Sequence, residues 1–167
     1  MPTDTLSPQD LGTGSTGFRA GTSKSSLEGA LHLPNWGDAE WQHFFNFTSG
    51  RRVPAGDALI QQGEPDRTLY FVLHGELEVI AHSGNGLSLG RLARVGAGSI
   101  LGEQAFFDGG PRSAGAWALG DCDVAAMTPD QYGAFEDSHP ALARDLLFAL
   151  GRLLAIRLRR TSTRLME

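Results

Sequence analysis

The residues best suited to chemistry lie between Gly102 and Ala114, where the chain reads Gly-Glu-Gln-Ala-Phe-Phe-Asp-Gly-Gly-Pro-Arg-Ser-Ala. Glu103 opens a short apolar turn, and Arg112 follows it nine residues later with Ser113 at its side. A guanidinium, a hydroxyl and free backbone N–H groups together favour binding of an anion such as phosphate. The Glu103 carboxylate would repel a phosphate, but it can accept a hydrogen bond from a sugar hydroxyl. Sugar and phosphate recognition in one stretch predict a nucleotide site.

This stretch resembles the phosphate-binding cassette of cyclic nucleotide-binding domains of the catabolite-activator and protein kinase A regulatory types. Turn and strand residues upstream match the family pattern too, so the resemblance covers the chain from about Trp36 onward: they are Gly56, Asp57, Ile60, Gly63, Glu64, Pro65, Tyr70 and Gly75. The resemblance implies that Glu103 holds the ribose 2′-hydroxyl and that Arg112 pairs with the cyclic phosphate. It also implies that Ser113 and the Ala114 amide complete the phosphate contacts.

The resulting candidate ligand-binding residues are Gly102, Glu103, Gln104, Ala105, Arg112, Ser113 and Ala114. By family analogy the ligand is cyclic AMP or cyclic GMP. The serine at position 113, where a threonine is the alternative, favours the adenine nucleotide. The same resemblance implies a role in signal transduction as a regulatory domain.

Catalytic and metal chemistry find little support in the sequence. The histidines at 32, 43, 74, 82 and 139 show no paired metal-ligand spacing. No Walker-type Gly-Lys-Ser/Thr sequence is present. We therefore expect a binding module that is not an enzyme and that has no metal or cofactor.

Composition limits the class of protein further. A chain of 167 residues with 41% hydrophobic content predicts one domain. A net charge of −5 and a pI near 5.5 oppose nucleic-acid binding by the chain itself. The single cysteine, Cys122, favours a reducing compartment, and no apolar run predicts a membrane span or a secretion signal. We expect a cytoplasmic protein.

The elements that must position the cassette follow from apolar periodicity. Residues 1–33 are rich in Ser, Thr and Gly and predict a flexible tail, and residues 34–167 predict the domain. A helix is expected within 36–47, a β-roll of jelly-roll type (a double-stranded β-helix) over about 51–128, and two helices over about 129–164. The expected strands are 51–53, 58–61, 68–74, 76–82, 87–95, 99–101, 113–118 and 122–128. The predicted fold is mainly β, an antiparallel roll with an N-terminal helix and two C-terminal helices.

The long C-terminal helix shows two apolar stripes. The first, suited to covering the roll or a ligand, contains Leu142, Leu146, Ala149, Leu150 and Leu153. The second has coiled-coil spacing and predicts contact with a second copy or a larger effector protein: Leu147, Leu154, Leu158 and Leu165. The arginines at 157, 159, 160 and 164 are interpreted as a solvated helix end, where cations complement the helix dipole.

Three alternatives stay open from the sequence. A degenerate cassette would keep the fold without a ligand and serve as a protein-interaction module. A transcription regulator of the catabolite-activator type is the second alternative, and this chain would be at most its sensor part, because no residues for a DNA-binding unit follow the long helix. The ending from Arg152 to Met166 resembles the tails of sensor modules attached to bacterial anion permeases.

Overall fold

A computed structural model of the chain describes residues 5–6, 30–82 and 89–166. The helices are α1 (Asp38–Phe45), α2 (Glu103–Asp108), α3 (Pro129–Ser138) and α4 (Pro140–Met166). The strands are β1 (Thr5–Leu6), β2 (Ser49–Val53), β3 (Ala58–Ile60), β4 (Leu69–His74), β5 (Leu77–His82), β6 (Leu89–Val95), β7 (Ile100–Leu101), β8 (Gly115–Ala118) and β9 (Cys122–Met127). The described strands pair as two antiparallel sheets, one in the order β1-β2-β9-β4-β7 and one in the order β3-β8-β5-β6.

The predicted fold class is confirmed: an antiparallel β-roll carries one helix before it and two after it. Each strand expected between residues 51 and 128 has a counterpart whose ends differ by one or two residues. The short apolar turn expected after Gly102 is a helix, α2. Alternating apolar side chains separated by glycine turns were therefore sufficient to locate the roll.

Strand β4 separates two cores. Its run of five buried residues, Leu69–Leu73, is apolar on both faces, as expected for a strand covered on both sides. Tyr70 and Val72 lie in the cluster shared by the two sheets. Phe71 lies in the second cluster, which the three longer helices complete. The roll therefore has an interior core and an outer core beneath the helices.

The helices begin at recognisable caps. The backbone N–H of Gly37 donates to the Glu40 carboxylate at 2.8 Å at the start of α1. Thr128 and Gln131 form a reciprocal capping box at the start of α3, with Pro129 in its first turn. The first stripe predicted on α4 is confirmed as core, since Leu146, Ala149, Leu150 and Leu153 are buried and Leu142 packs against them.

The predicted flexible tail needs correction where the structure describes it. Thr5 and Leu6 pair with β2, and Ala30 forms a bridge with Ser99. Leu31 is buried in the outer core. Leu31 is buried because its apolar side chain packs in the outer core, and Thr5–Leu6 pair because the edge of β2 offers free backbone groups. Local composition reveals neither contact. The remainder of the predicted tail, residues 1–4 and 7–29, lies outside the described residues.

Among the described helices, none is both long enough and apolar enough to cross a lipid bilayer.

Candidate functional site

A cavity of about 350 Å³ lies where the four-stranded sheet, the cassette (residues 102–114) and the end of α4 meet. Its volume is in the range of small-molecule sites. Ile60 and Val79 contribute apolar walls, while Arg157 and Thr161 approach from α4. All seven predicted ligand-binding residues line this cavity: Gly102, Glu103, Gln104, Ala105, Arg112, Ser113 and Ala114.

Gly102 sets the geometry at the start of the cassette. It has a φ of 85°, a conformation that favours glycine, and helix α2 begins at the next residue. A Cβ at this position would lie against the Arg112 guanidinium and 2.7 Å from the Thr68 carbonyl oxygen. Glycine is therefore required both for the turn and for the close approach of the arginine.

Arg112 is buried to all but 3% of its surface and is held by three acceptors. Its Nη2 donates to Asp66 Oδ2 at 2.5 Å and to the Thr68 carbonyl at 2.7 Å, and its Nη1 donates to the Gly102 carbonyl at 3.2 Å. The guanidinium carbon lies 5.7 Å from the centroid of the Tyr70 ring, a cation–π distance. The Nε of Arg112 is buried and has no hydrogen-bond partner. A buried charged donor without a partner is suited to an anionic ligand.

Asp66 keeps its charge beside this arginine. Burial acts to raise the pKa of Asp66, but hydrogen bonds from Arg112 and Thr68 outweigh burial and lower the pKa below its ordinary value. The carboxylate also accepts bonds from the Thr68 amide at 3.1 Å and the Thr68 hydroxyl at 2.8 Å. Asp66 therefore fixes the guanidinium in place as its counter-charge.

Glu103 is the acidic group of the cavity and is only 4% exposed. Its Oε1 lies 2.5 Å from Nη1 of Arg157 on α4. The Nη2 of Arg157 also donates to the Ile100 carbonyl at 2.9 Å. One side chain of α4 thus contacts both the carboxylate of the cavity and strand β7. The interpretation of Arg157 as part of a solvated helix end is wrong, because its guanidinium satisfies a buried acid.

Sequence reasoning missed several residues of the site, among them Asp66, Thr68, Arg157 and Thr161. Asp66 and Thr68 are distant from Arg112 in sequence, and only the folded loop brings them together. Arg157 carried a readable signal, because it continues the buried stripe of Leu146, Leu150 and Leu153 at helical spacing. A charge that continues a core stripe is expected to meet a buried partner.

Comparison with known proteins agrees with this geometry. The chain matches the family model of the cyclic nucleotide-binding domain over residues 50–139. It is 29% identical over 114 residues to the CRP-like cAMP-activated global transcriptional regulator of Mycobacterium tuberculosis, covering 68% of this chain and 49% of that protein. It is 33% identical over 112 residues to the cAMP-activated global transcriptional regulator CRP of Haemophilus influenzae, covering 66% and 48%. The chain spans about half the length of these relatives.

A solved structure is similar over most of both chains. The cyclic nucleotide-binding domain from Methylobacillus flagellatus KT superposes with a TM-score of 0.77 at 26% identity, covering 93% of this chain and 84% of that one. The matched family segment contains the whole cassette and the loop that holds Arg112. The chain belongs to the cyclic nucleotide-binding domain family, whose domains are regulatory and not catalytic.

Proposed function

We propose that this chain senses a cyclic nucleoside monophosphate, and cyclic AMP in preference to cyclic GMP, by binding it in the cavity. The observation that carries the proposal is the buried Nε of Arg112, a charged donor without a partner in the cavity that also contains the Glu103 carboxylate. These two groups match the two polar parts of such a ligand, its phosphate and its ribose. The chain acts as a binding module, and we propose no catalytic step.

The phosphate is proposed to lie against Arg112, Ser113 and Ala114. Arg112 supplies a charge-assisted bond from Nε, which is strong because the group is desolvated. The Ser113 hydroxyl and the Ala114 amide are further donors in the same wall of the cavity. Asp66 holds the guanidinium from its Nη2 side, so the arginine is oriented before the ligand arrives.

The ribose is proposed to bind Glu103. An ionised carboxylate has about four acceptor positions, so it can accept a bond from the 2′-hydroxyl while it keeps Arg157. The ribose is thereby recognised by Glu103, the residue that already contacts α4 through Arg157. Binding of the sugar and the position of this helix are coupled through one carboxylate.

Thr161 supports the preference for adenine. Thr161 lines the cavity, and its hydroxyl donates to the Arg157 carbonyl at 3.1 Å, so the hydroxyl oxygen can still accept a hydrogen bond. The 6-amino group of adenine is a donor, whereas guanine presents a carbonyl acceptor at that position. An acceptor in the roof of the cavity therefore favours cyclic AMP.

We propose α4 as the element that transmits binding. A ligand can shift the helix only by binding one of its positions more tightly than another. We propose that this difference arises at the contact between Glu103 and Arg157, because it joins the carboxylate proposed for the ribose to the helix. The outward face of α4 is available to receive the signal. Phe148, Leu158 and Leu165 are 81%, 68% and 83% exposed.

We name this face the outer stripe and define it as Phe148, Gly151, Ala155, Leu158 and Leu165, which recur at steps of three, four, three and seven. The outer stripe differs from the second stripe predicted from the sequence, because Leu147 packs against the outer core and Leu154 is half-buried. We propose that a second copy of the chain, or a larger effector, covers the outer stripe.

A second candidate is the sensor part of a transcriptional regulator, located in the cytoplasm. The two bacterial relatives named as cAMP-activated global transcriptional regulators support it. The full open reading frame tests this role, because a DNA-binding unit in the same polypeptide would favour it over a free-standing sensor.

Calorimetric titration with cyclic AMP and cyclic GMP tests the proposed ligand. The wild type is expected to bind cyclic AMP more tightly, and Arg112→Ala to bind at least about tenfold more weakly. Arg52→Ala is the matched control, because Arg52 pairs with Asp123 at 3.0 Å and does not line the cavity. A wild type that binds neither nucleotide favours the degenerate cassette acting as a protein-interaction module.

A further inference from the structure

The loop between β3 and β4 holds the cassette at both of its ends. At the far end, the Gly63 amide donates to the Arg112 carbonyl at 2.9 Å. At the near end, the Arg67 side chain reaches the last turn of α2. Its Nε donates to the Ala105 carbonyl at 3.3 Å and its Nη2 donates to the Phe106 carbonyl at 2.8 Å.

These two carbonyls belong to a helix that needs external support. Helix α2 has six residues, too few for stability from its own hydrogen bonds. Its end is closed by Gly109, with φ of 69°, whose amide donates to the Ala105 carbonyl at 3.0 Å. The guanidinium of Arg67 adds two donors and a positive charge at the negative end of the helix. Arg67 therefore fixes the orientation of α2.

Glu103 is the first residue of α2, so its place in the cavity depends on that orientation. We propose that Arg67 is a positioning residue that keeps Glu103 directed at the ribose without touching the ligand itself. Arg67 does not line the cavity. This inference rests on the proposed function, because the ribose contact belongs to it. Arg112 is held by Asp66 and Thr68 in addition to the Gly102 carbonyl, so we expect the phosphate contact to depend on Arg67 much less than the ribose contact does.

The experiment compares cyclic AMP with 2′-deoxy cyclic AMP in wild type, Arg67→Ala and Arg67→Lys. We expect Arg67→Ala to raise the Kd for cyclic AMP about tenfold and the Kd for the deoxy analogue much less. The ratio of the Kd for 2′-deoxy cyclic AMP to the Kd for cyclic AMP should therefore fall toward one. Arg67→Lys, which keeps the charge but has a single donor nitrogen in place of the planar fork, should restore part of the ratio. Arg52→Ala should leave both Kd values unchanged.

A merely structural role would weaken both nucleotides equally, so an unchanged ratio in Arg67→Ala overturns the proposal. Amide hydrogen exchange gives a measurement that needs no nucleotide. In Arg67→Ala, the Phe106 and Gly109 amides should exchange faster, while the Val72 amide in the roll should not change. Unchanged exchange at Phe106 and Gly109 overturns the proposal, whether or not the wild type binds a nucleotide. Failure of the wild type to bind either nucleotide would, by itself, contradict only the proposed function.

Discussion

The Glu103 carboxylate and the Arg157 guanidinium lie 2.5 Å apart and join the cassette to helix α4. Glu103 is buried, and the side chain of Arg157 is 27% exposed. Burial of a carboxylate is costly unless a donor satisfies it. The pair therefore gives α4 a fixed position over the cavity before any ligand binds.

The first prediction concerns this pair and stability. Arg157→Ala leaves Glu103 buried without its ion-pair partner and should lower the free energy of unfolding by about 1 to 3 kcal/mol. Arg159→Ala, on the exposed side of the same helix, should change it by less than about 0.5 kcal/mol. Urea denaturation measures both. Equal effects of the two variants would contradict a stabilising role for the pair.

The second prediction concerns the three acceptors of Arg112. Arg112→Ala leaves the Asp66 carboxylate and the Thr68 and Gly102 carbonyls without their shared donor, and should cost about 2 to 5 kcal/mol. Arg52→Ala removes an exposed ion pair and should cost less than about 1 kcal/mol. Thermal and chemical unfolding of both variants provide the comparison. A stable Arg112→Ala protein would show that solvent readily satisfies these acceptors.

The third prediction gives the dependence on pH that follows from Asp66. Its pKa is lower in the folded chain than the ordinary value of 3.8, so the folded state favours the charged form. The stability that this group supplies is fully present above about pH 5. It is lost as the pH falls below 3.8 and through the folded pKa.

The comparison of wild type with Asp66→Asn measures this contribution. The difference in their free energies of unfolding should be constant between about pH 7 and pH 5 and should shrink as the pH falls below that range. A difference that stays constant to about pH 2 would mean that Asp66 is not held in its charged form by Arg112.

The fourth prediction concerns the segment before α1. Leu31→Ala should lower the free energy of unfolding by about 2 to 3 kcal/mol, because Leu31 packs in the outer core. Leu158→Ala, at a leucine that is 68% exposed, is the control and should cost little in a monomer. If both substitutions have the same small effect, Leu31 does not contribute to the outer core and the flexible-tail prediction stands at this position.

The sequence predicted features that are formed by neighbouring residues and missed contacts between residues that are distant along the chain. The run Leu69–Leu73 showed a buried strand by itself, and Gly102 with Glu103 showed the start of the cassette. The bridge between Ala30 and Ser99 joins two segments that are distant in sequence and lie outside the strands, so composition could not reveal it. The ion pair between Asp66 and Arg112 likewise forms only in the folded roll, because the two residues are distant in sequence.

The last prediction concerns the outer stripe of α4. Phe148 and Leu158 are mostly exposed, so replacing both with glutamate should leave the isolated fold intact. If a second copy covers the stripe, the wild type should sediment as a dimer and the Phe148→Glu, Leu158→Glu variant as a monomer, because two buried charges without partners oppose association.

Substitutions at Leu147 and Leu154 distinguish a stripe that a partner covers from a stripe that belongs to the core of the domain. Leu147 packs against the outer core and Leu154 is half-buried, so glutamate at these two positions should lower thermal stability whatever the oligomeric state. A wild type that remains monomeric at high micromolar concentration would exclude the homodimer and leave a larger effector as the partner of the stripe. If Phe148→Glu and Leu158→Glu destabilised that monomer as strongly as the inner pair, the stripe would belong to the core of the domain, because only residues buried within one chain can affect its unfolding in this way.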